Sequence, residues 1–169
     1  MAFRRASKVR FGQPWRWKAV LRERLPLFGH RNWIVIADAA YPAQSNPAIQ
    51  TVFTGSDHLA VVREVMNGLK KAAHVRPDIL LDAELPAVRE DDAPGVSAYR
   101  QNLSRILSGF AVEALPHEEI IVRLDEAAKR FGVLVLKTTL AIPYTSVFIR
   151  LECGYWTAAA ERELRASMG

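Results

Sequence analysis

The chain has a single cysteine, Cys153, in 169 residues. One cysteine closes no internal disulfide, which suits a reducing cytosol. Cys153 falls in a stretch that reads as strand, where a buried, inert thiol is the ordinary role. Long apolar runs are missing too: none approaches the ~20 residues needed to span a membrane. No segment has the short basic start and apolar stretch of a secretory signal. There is no G-x-G-x-x-G, no Walker loop, no G-x-S-x-G elbow and no H-E-x-x-H helix. One cysteine and scattered histidines do not make a zinc site. No repeat of roughly 20–50 residues and no low-complexity tract is visible. These absences remove most nucleotide, metal and acyl-transfer functions.

Half of the residues are hydrophobic, enough for a sizeable core in one domain. The charge is uneven. Residues 1–31 carry nine Lys or Arg against one Glu, so the net +5 of the chain leaves −3 for the rest. Residues 1–13 read as a basic arm. Such an arm is a solvated extension, a transit-like segment, or a contact for nucleic acid, an anionic membrane or an acidic partner. It lacks the repeated basic–aromatic pattern of a single-strand groove, so the solvated form is favoured and no nucleic acid is expected.

Pro14 is placed to open a helix, and Trp17, Val20, Leu21, Leu25 and Phe28 recur at near-helical spacing. Trp33–Ala37 is short, β-branched in its middle and bounded by Gly and Pro signals, so it reads as a buried strand. A Pro-bounded loop follows, then a weaker strand over Ile49–Thr54. Ser56 or Asp57 caps a helix carrying Leu59, Val62, Val65, Met66 and Leu69. Pro77–Asp82 reads as strand, and Pro86–Pro94 as polar loop. A third helix follows with Tyr99, Leu103, Ile106 and Leu107 on one face. Phe110–Leu115 is a strand, and Pro116-His117 opens a helix that Gly132 ends. Val133–Thr138 and Ser146–Leu151 are the last strands, and Ala158–Met168 a terminal helix. This order predicts a three-layer α/β/α domain over residues 14–156, with a C-terminal helical extension over 157–169. The sheet is expected to be mixed and mostly parallel. The closing strands have no crossover helix between them, so they should be antiparallel if adjacent.

Ligands of open α/β sheets gather at the carboxyl ends of strands. Asp38 ends one strand, as a turn or capping aspartate or as a carboxylate that binds hydroxyls or takes a proton. His117 stands at another such end, in the first turn of a helix, where the dipole disfavours its charged form. His30 follows Gly29 at a helix-to-strand turn and is of the type that moves protons near neutral pH. His58 and His74 read as solvated surface residues. Tyr144, after Pro143, is a half-buried packing residue or offers its hydroxyl and ring to a sugar-like ligand.

These segments resemble the D-ribose pyranase and L-fucose mutarotase family from about residue 20 to residue 155. The matching parts are Gly29-His30, then Ile34-Val35-Ile36-Ala37-Asp38-Ala39 and Pro42; His117-Glu118-Glu119 after a strand; and Pro143-Tyr144 before the closing strand. The resemblance implies a cofactor-independent cytoplasmic isomerase that interconverts cyclic forms of a monosaccharide. It implies closed rings of identical subunits. By the family pattern, His30 matches the catalytic proton donor, Asp38 and His117 match sugar-binding positions, and Tyr144, Thr145 and Ser146 match the closing binding segment. Two positions depart from the pattern. The family segment usually reads Tyr-x-Asn, where this chain has Ser146. Many members carry a Lys four residues after the second histidine, where this chain has Ile121. Both changes remove sugar-binding capacity, which keeps a non-catalytic sugar-binding or regulatory protein as an alternative. The basic arm keeps a third, an interaction protein.

His30 and Asp38 flank the same strand, so roughly 16–20 Å of extended chain separates them. They cannot share one sugar pocket within a subunit unless the chain bends back. A composite site, with His30 supplied by a neighbouring subunit, resolves this.

Overall fold

Trp33–Ala37 forms the strand β1, and all five residues are buried. Ile34 and Ile36 point into one hydrophobic cluster, while Trp33, Val35 and Ala37 point into another. Burial on both faces marks a central strand of a covered α/β sheet. The structure, a computed structural model, describes residues 16–168. The basic arm over residues 1–13 and the helix start at Pro14 lie outside the described residues.

The other elements, in chain order, are α1 (Arg16–Arg24) before β1, then β2 (Ile49–Phe53), α2 (His58–Lys71), β3 (Val75–Asp82) and a 3₁₀ turn over Leu85–Ala87. They continue with α3 (Val96–Ile106), β4 (Val112–Leu115), α4 (His117–Ala128), β5 (Val133–Lys137), β6 (Val147–Cys153) and α5 (Ala158–Ser167). The sequence signals act as expected at several boundaries. Asp57 caps α2 by accepting the Ala60 N–H at 2.9 Å. Pro77 falls inside β3, but β4 pairs only with Ile79–Asp82, so the proline sits at an edge position.

The sheet order is β2-β5-β1-β6-β3-β4. Every neighbouring pair is parallel except those made by β6, which runs antiparallel to β1 and to β3. The sheet is therefore mixed and mostly parallel, as expected. The last two strands of the sequence are not neighbours, because β1 stands between them. Helices α1, α2 and α3 cover one face through Trp17, Leu21, Val62, Met66 and Leu103. Helix α4 covers part of the other through Ile120, Leu124 and Ala128. Ile120 and Leu124 are fully buried; such burial contributes about 1.5–3 kcal/mol per side chain. Helix α5 buries none of its residues. Among the described residues no helix is long and apolar enough to cross a membrane.

The insertion of β6 positions the site. Because β6 is antiparallel, its amino end lies beside the carboxyl ends of β1 and β3. The loop before β6 therefore meets Asp38, Asp82 and the start of α4 at one edge of the sheet.

Candidate functional site

A cavity of about 410 Å³ opens at that edge, lined by Asp38, Tyr41, Asp82, His117, Tyr144 and Ser146 among others. Its size suits one small ligand. Asp38 follows the last residue of β1, and Asp82 is the last residue of β3. His117 is the first residue of α4. Pro116 before it has no capping side chain, so the helix start is capped from elsewhere. Both Glu84 carboxylate oxygens accept the His117 backbone N–H, at 3.0 and 3.1 Å.

The His117 ring is held as well. Its Nδ1 lies 3.0 Å from Asp82 Oδ1, and the Asp82 side chain is completely buried. A carboxylate accepts, so the neutral ring carries its proton on Nδ1 and leaves Nε2 bare. The ring also packs edge-on against Tyr144 and Phe148. Asp82 Oδ2 is buried and has no hydrogen-bond partner. Burial pushes the Asp82 carboxyl above its ordinary value, while the bond from His117 pulls it down. Asp38 is raised too, chiefly by burial, against hydrogen bonding from the Tyr41 backbone and the field of Lys137. Burial pushes the Tyr41 hydroxyl up to about 12. That hydroxyl accepts a hydrogen bond from Gln44 at 3.2 Å.

Tyr144 has φ of 57°, a left-handed conformation that is uncommon away from glycine. Strained backbone of this kind clusters at ligand sites. Tyr144 and Ser146 face the cavity, but Thr145 between them does not. Thr145 is 1% exposed, and its hydroxyl donates to the Ile142 carbonyl at 2.7 Å. Its side chain is thus withdrawn from the ligand position the family pattern gave it.

A polar chain lies behind this loop. Tyr99 on α3 donates to the Thr145 carbonyl at 2.9 Å and lies 3.3 Å from His58 Nδ1. His58 Nε2 lies 3.2 Å from the Ile36 carbonyl of β1. His58 is therefore buried rather than solvated, because α3 closes over the start of α2. Burial pushes its imidazole down to about 4. His74 is partly buried too, with Nε2 facing the carbonyls of Leu25 and Phe28.

His30 does not reach the cavity. It precedes β1, whose five residues span roughly 16 Å, and it lies at the opposite end of the sheet. Arg31, at φ of 75°, makes the turn there. Arg31 N–H donates to the Leu151 carbonyl at 2.8 Å, and Asn32 bridges Gly29 and Gly132. The His30 side chain is half exposed, with Nδ1 2.8 Å from Glu152 Oε2. Arg31 Nε donates to its Nε2 at 3.2 Å. A second cavity, lined in part by His30, Arg76, Glu152 and Trp156, opens at this end.

The model of the RbsD / FucU transport protein family matches residues 18–154. The chain belongs to that family. Its fold matches that of Bacillus subtilis RbsD complexed with D-ribose, at 21% identity and a TM-score of 0.55, over 82% of this chain and 94% of that one. It also matches the Streptococcus pneumoniae fucose mutarotase in complex with L-fucose, at 20% identity and a TM-score of 0.52, over 79% and 91%. Bifidobacterium longum FucU matches at 17% identity and a TM-score of 0.54, over 79% and 92%. No curated protein matches the chain by sequence.

Of the positions carried over from the RbsD / FucU pattern, the structure brings Asp38, His117, Tyr144 and Ser146 to one cavity and leaves His30 and Thr145 outside it. Asp82 is the residue that sequence reasoning missed. Its signal was present, since Ile79-Leu80-Leu81-Asp82 has the same form as the run ending in Asp38, an apolar strand closing on a carboxylate. Ile121 lines the cavity one turn after His117 and puts an apolar wall where many members of the family carry Lys. Among the described residues no three His, Cys, Asp or Glu side chains are grouped to hold a metal ion.

Proposed function

We propose that the chain is a cofactor-independent sugar isomerase that interconverts cyclic forms, anomers or pyranose and furanose, of a monosaccharide such as ribose or fucose. The observation that carries this is the cavity itself, with Asp38 and an Asp82-held His117 facing the strained Tyr144. Ring opening needs a proton delivered to the ring oxygen and one removed from the anomeric hydroxyl. The bond from C1 to the ring oxygen then breaks, giving the open-chain aldehyde. Rotation and reclosure by the reverse steps return both protons, so nothing is consumed. The bare Nε2 of His117 suits removal of the hydroxyl proton, Asp38 suits holding the neighbouring hydroxyls, and Tyr144 and Ser146 close the pocket. A positioned acid–base pair of this kind contributes on the order of 10²–10⁴-fold.

The acid is His30 of a neighbouring subunit. Glu152 accepts from its Nδ1–H, and Nε2, which accepts from Arg31 Nε, is the nitrogen that carries the proton to the sugar once Arg31 gives way to the neighbouring copy. Half exposure and a position at the far end of the sheet favour delivery to a second copy rather than to the subunit's own cavity. Head-to-tail contacts of this kind give a closed ring of identical subunits where the rotation between copies closes. The lone thiol fits a cytoplasmic setting.

One observation favours a second function, a non-catalytic sugar-binding protein: Ile121 lines the cavity and offers no polar contact. Exchange NMR with a panel of aldoses separates the two. Faster anomer or ring-form exchange is expected for at least one sugar. Ligand saturation transfer without acceleration would contradict catalysis and leave binding.

A further inference from the structure

The cavity around His30 is walled on one side by residues that follow β6. Gly154 controls the exit of the chain there. A Cβ at Gly154 would lie 2.3 Å from the Ala73 carbonyl oxygen, a distance no side chain tolerates. Its N–H donates to the His74 carbonyl at 3.0 Å. The chain is thus pinned against the α2–β3 connection and turns back beside His30. Tyr155 and Trp156 follow at once. Thr157 then caps α5 by accepting the Ala160 N–H at 3.0 Å.

Trp156 is held in place. Its Nε1–H donates to Glu161 Oε2 at 2.8 Å, and Glu161 Oε1 accepts from Arg165 at 2.7 Å. The polar edge of the indole is therefore satisfied within the extension. Trp156 nevertheless remains 44% exposed and Tyr155 79% exposed. Since α5 buries no residue, core packing gives no reason for two adjacent aromatic residues here. The cavity that holds Trp156 and Tyr155 measures about 620 Å³ and also takes in His30, Glu152 and Arg76. The family match ends at residue 154, one residue before this pair.

An indole whose N–H is already engaged has its aromatic face to offer. Sugars present C–H faces between their hydroxyls, and aromatic rings bind such faces. Resting on the composite site proposed above, we propose that Trp156 is a sugar-stacking, specificity-determining residue. It reaches the sugar from the same subunit as His30, while Asp38 and His117 of the neighbouring copy hold the hydroxyls. Tyr155 flanks it as a second apolar surface. The selection lost with polar groups at Ser146 and Ile121 is moved to the opposite wall of the pocket.

The test uses the full chain and the aldose panel, with Trp156→Ala and Trp156→Phe. Trp156→Ala should raise KM roughly 2- to 10-fold for the preferred sugar, the range of an aromatic contact, with kcat close to wild type and the assembly unchanged by ultracentrifugation. Trp156→Phe should recover most of the loss. The indole N–H resonance that disappears in Trp156→Phe should shift in the wild-type protein as that sugar is titrated. An unmoved resonance and an unchanged KM in an intact assembly would overturn the proposal while leaving the isomerase standing. A broken assembly in Trp156→Ala would overturn it as well, making Trp156 an interface residue. If the wild-type protein neither binds nor exchanges any aldose, the isomerase itself fails, and the wild-type arm shows this before any variant is read.

Discussion

His117 and Asp82 are the pair on which the cavity depends at the scale of single residues. The Asp82 carboxylate sets the tautomer of His117, and the free Nε2 exists only because of it. Asp82→Asn replaces an obligate acceptor by an amide that can also donate, so the ring is no longer fixed. Sugar exchange should fall by roughly 100-fold, the lower end of what acid–base catalysis contributes. The thermal midpoint should hold or rise, because a buried carboxylate with one unpartnered oxygen is removed. Wild-type exchange in Asp82→Asn would show that His117 acts without it. The residue level was only partly legible in the sequence. Asp38 and His117 stand out because they end a strand and begin a helix. Asp82 ends a strand in the same way, but neither its burial nor its meeting with His117 can be read from one strand alone. Thr145 and Ser146 are adjacent, and only the backbone direction decides that one turns inward and the other toward the cavity.

Periodicity revealed most of the elements, because each strand and helix announces its buried face locally. What it could not show is which elements are neighbours. β6 enters between β1 and β3, and that insertion is a long-range pairing choice. The same blindness concealed His58, whose position at the start of α2 looks solvated until Tyr99 of α3 closes over it. This helix junction carries its own pH signature. The folded state holds His58 near 4 against an ordinary value of 6.5, so the unfolded chain binds more protons between those values. Stability contributed by the neutral ring is present above pH 6.5 and is lost as pH falls toward 4, by about 3 kcal/mol in all. Denaturant melts of the wild-type protein and of His58→Gln across pH 4–8 measure it. The wild-type curve should fall relative to the variant below pH 6.5. Parallel curves would mean that His58 is accessible to solvent in the folded protein.

At the scale of the whole molecule, two cavities lie at opposite ends of one sheet. One holds Asp38 and His117, and the other holds His30. The length of β1 keeps them apart, a separation already visible in the sequence as the spacing between His30 and Asp38. On the composite site proposed above, one subunit supplies two half-sites, and the complete site belongs to a pair of copies. Mixing full-chain His30→Ala and Asp38→Ala after co-refolding tests this most directly. Each variant alone should be inactive in sugar exchange. In a random mixture about a quarter of the interfaces unite an intact His30 with an intact Asp38, so about a quarter of wild-type exchange should return. No recovery, in a mixture shown by ultracentrifugation to have assembled, would contradict the composite site.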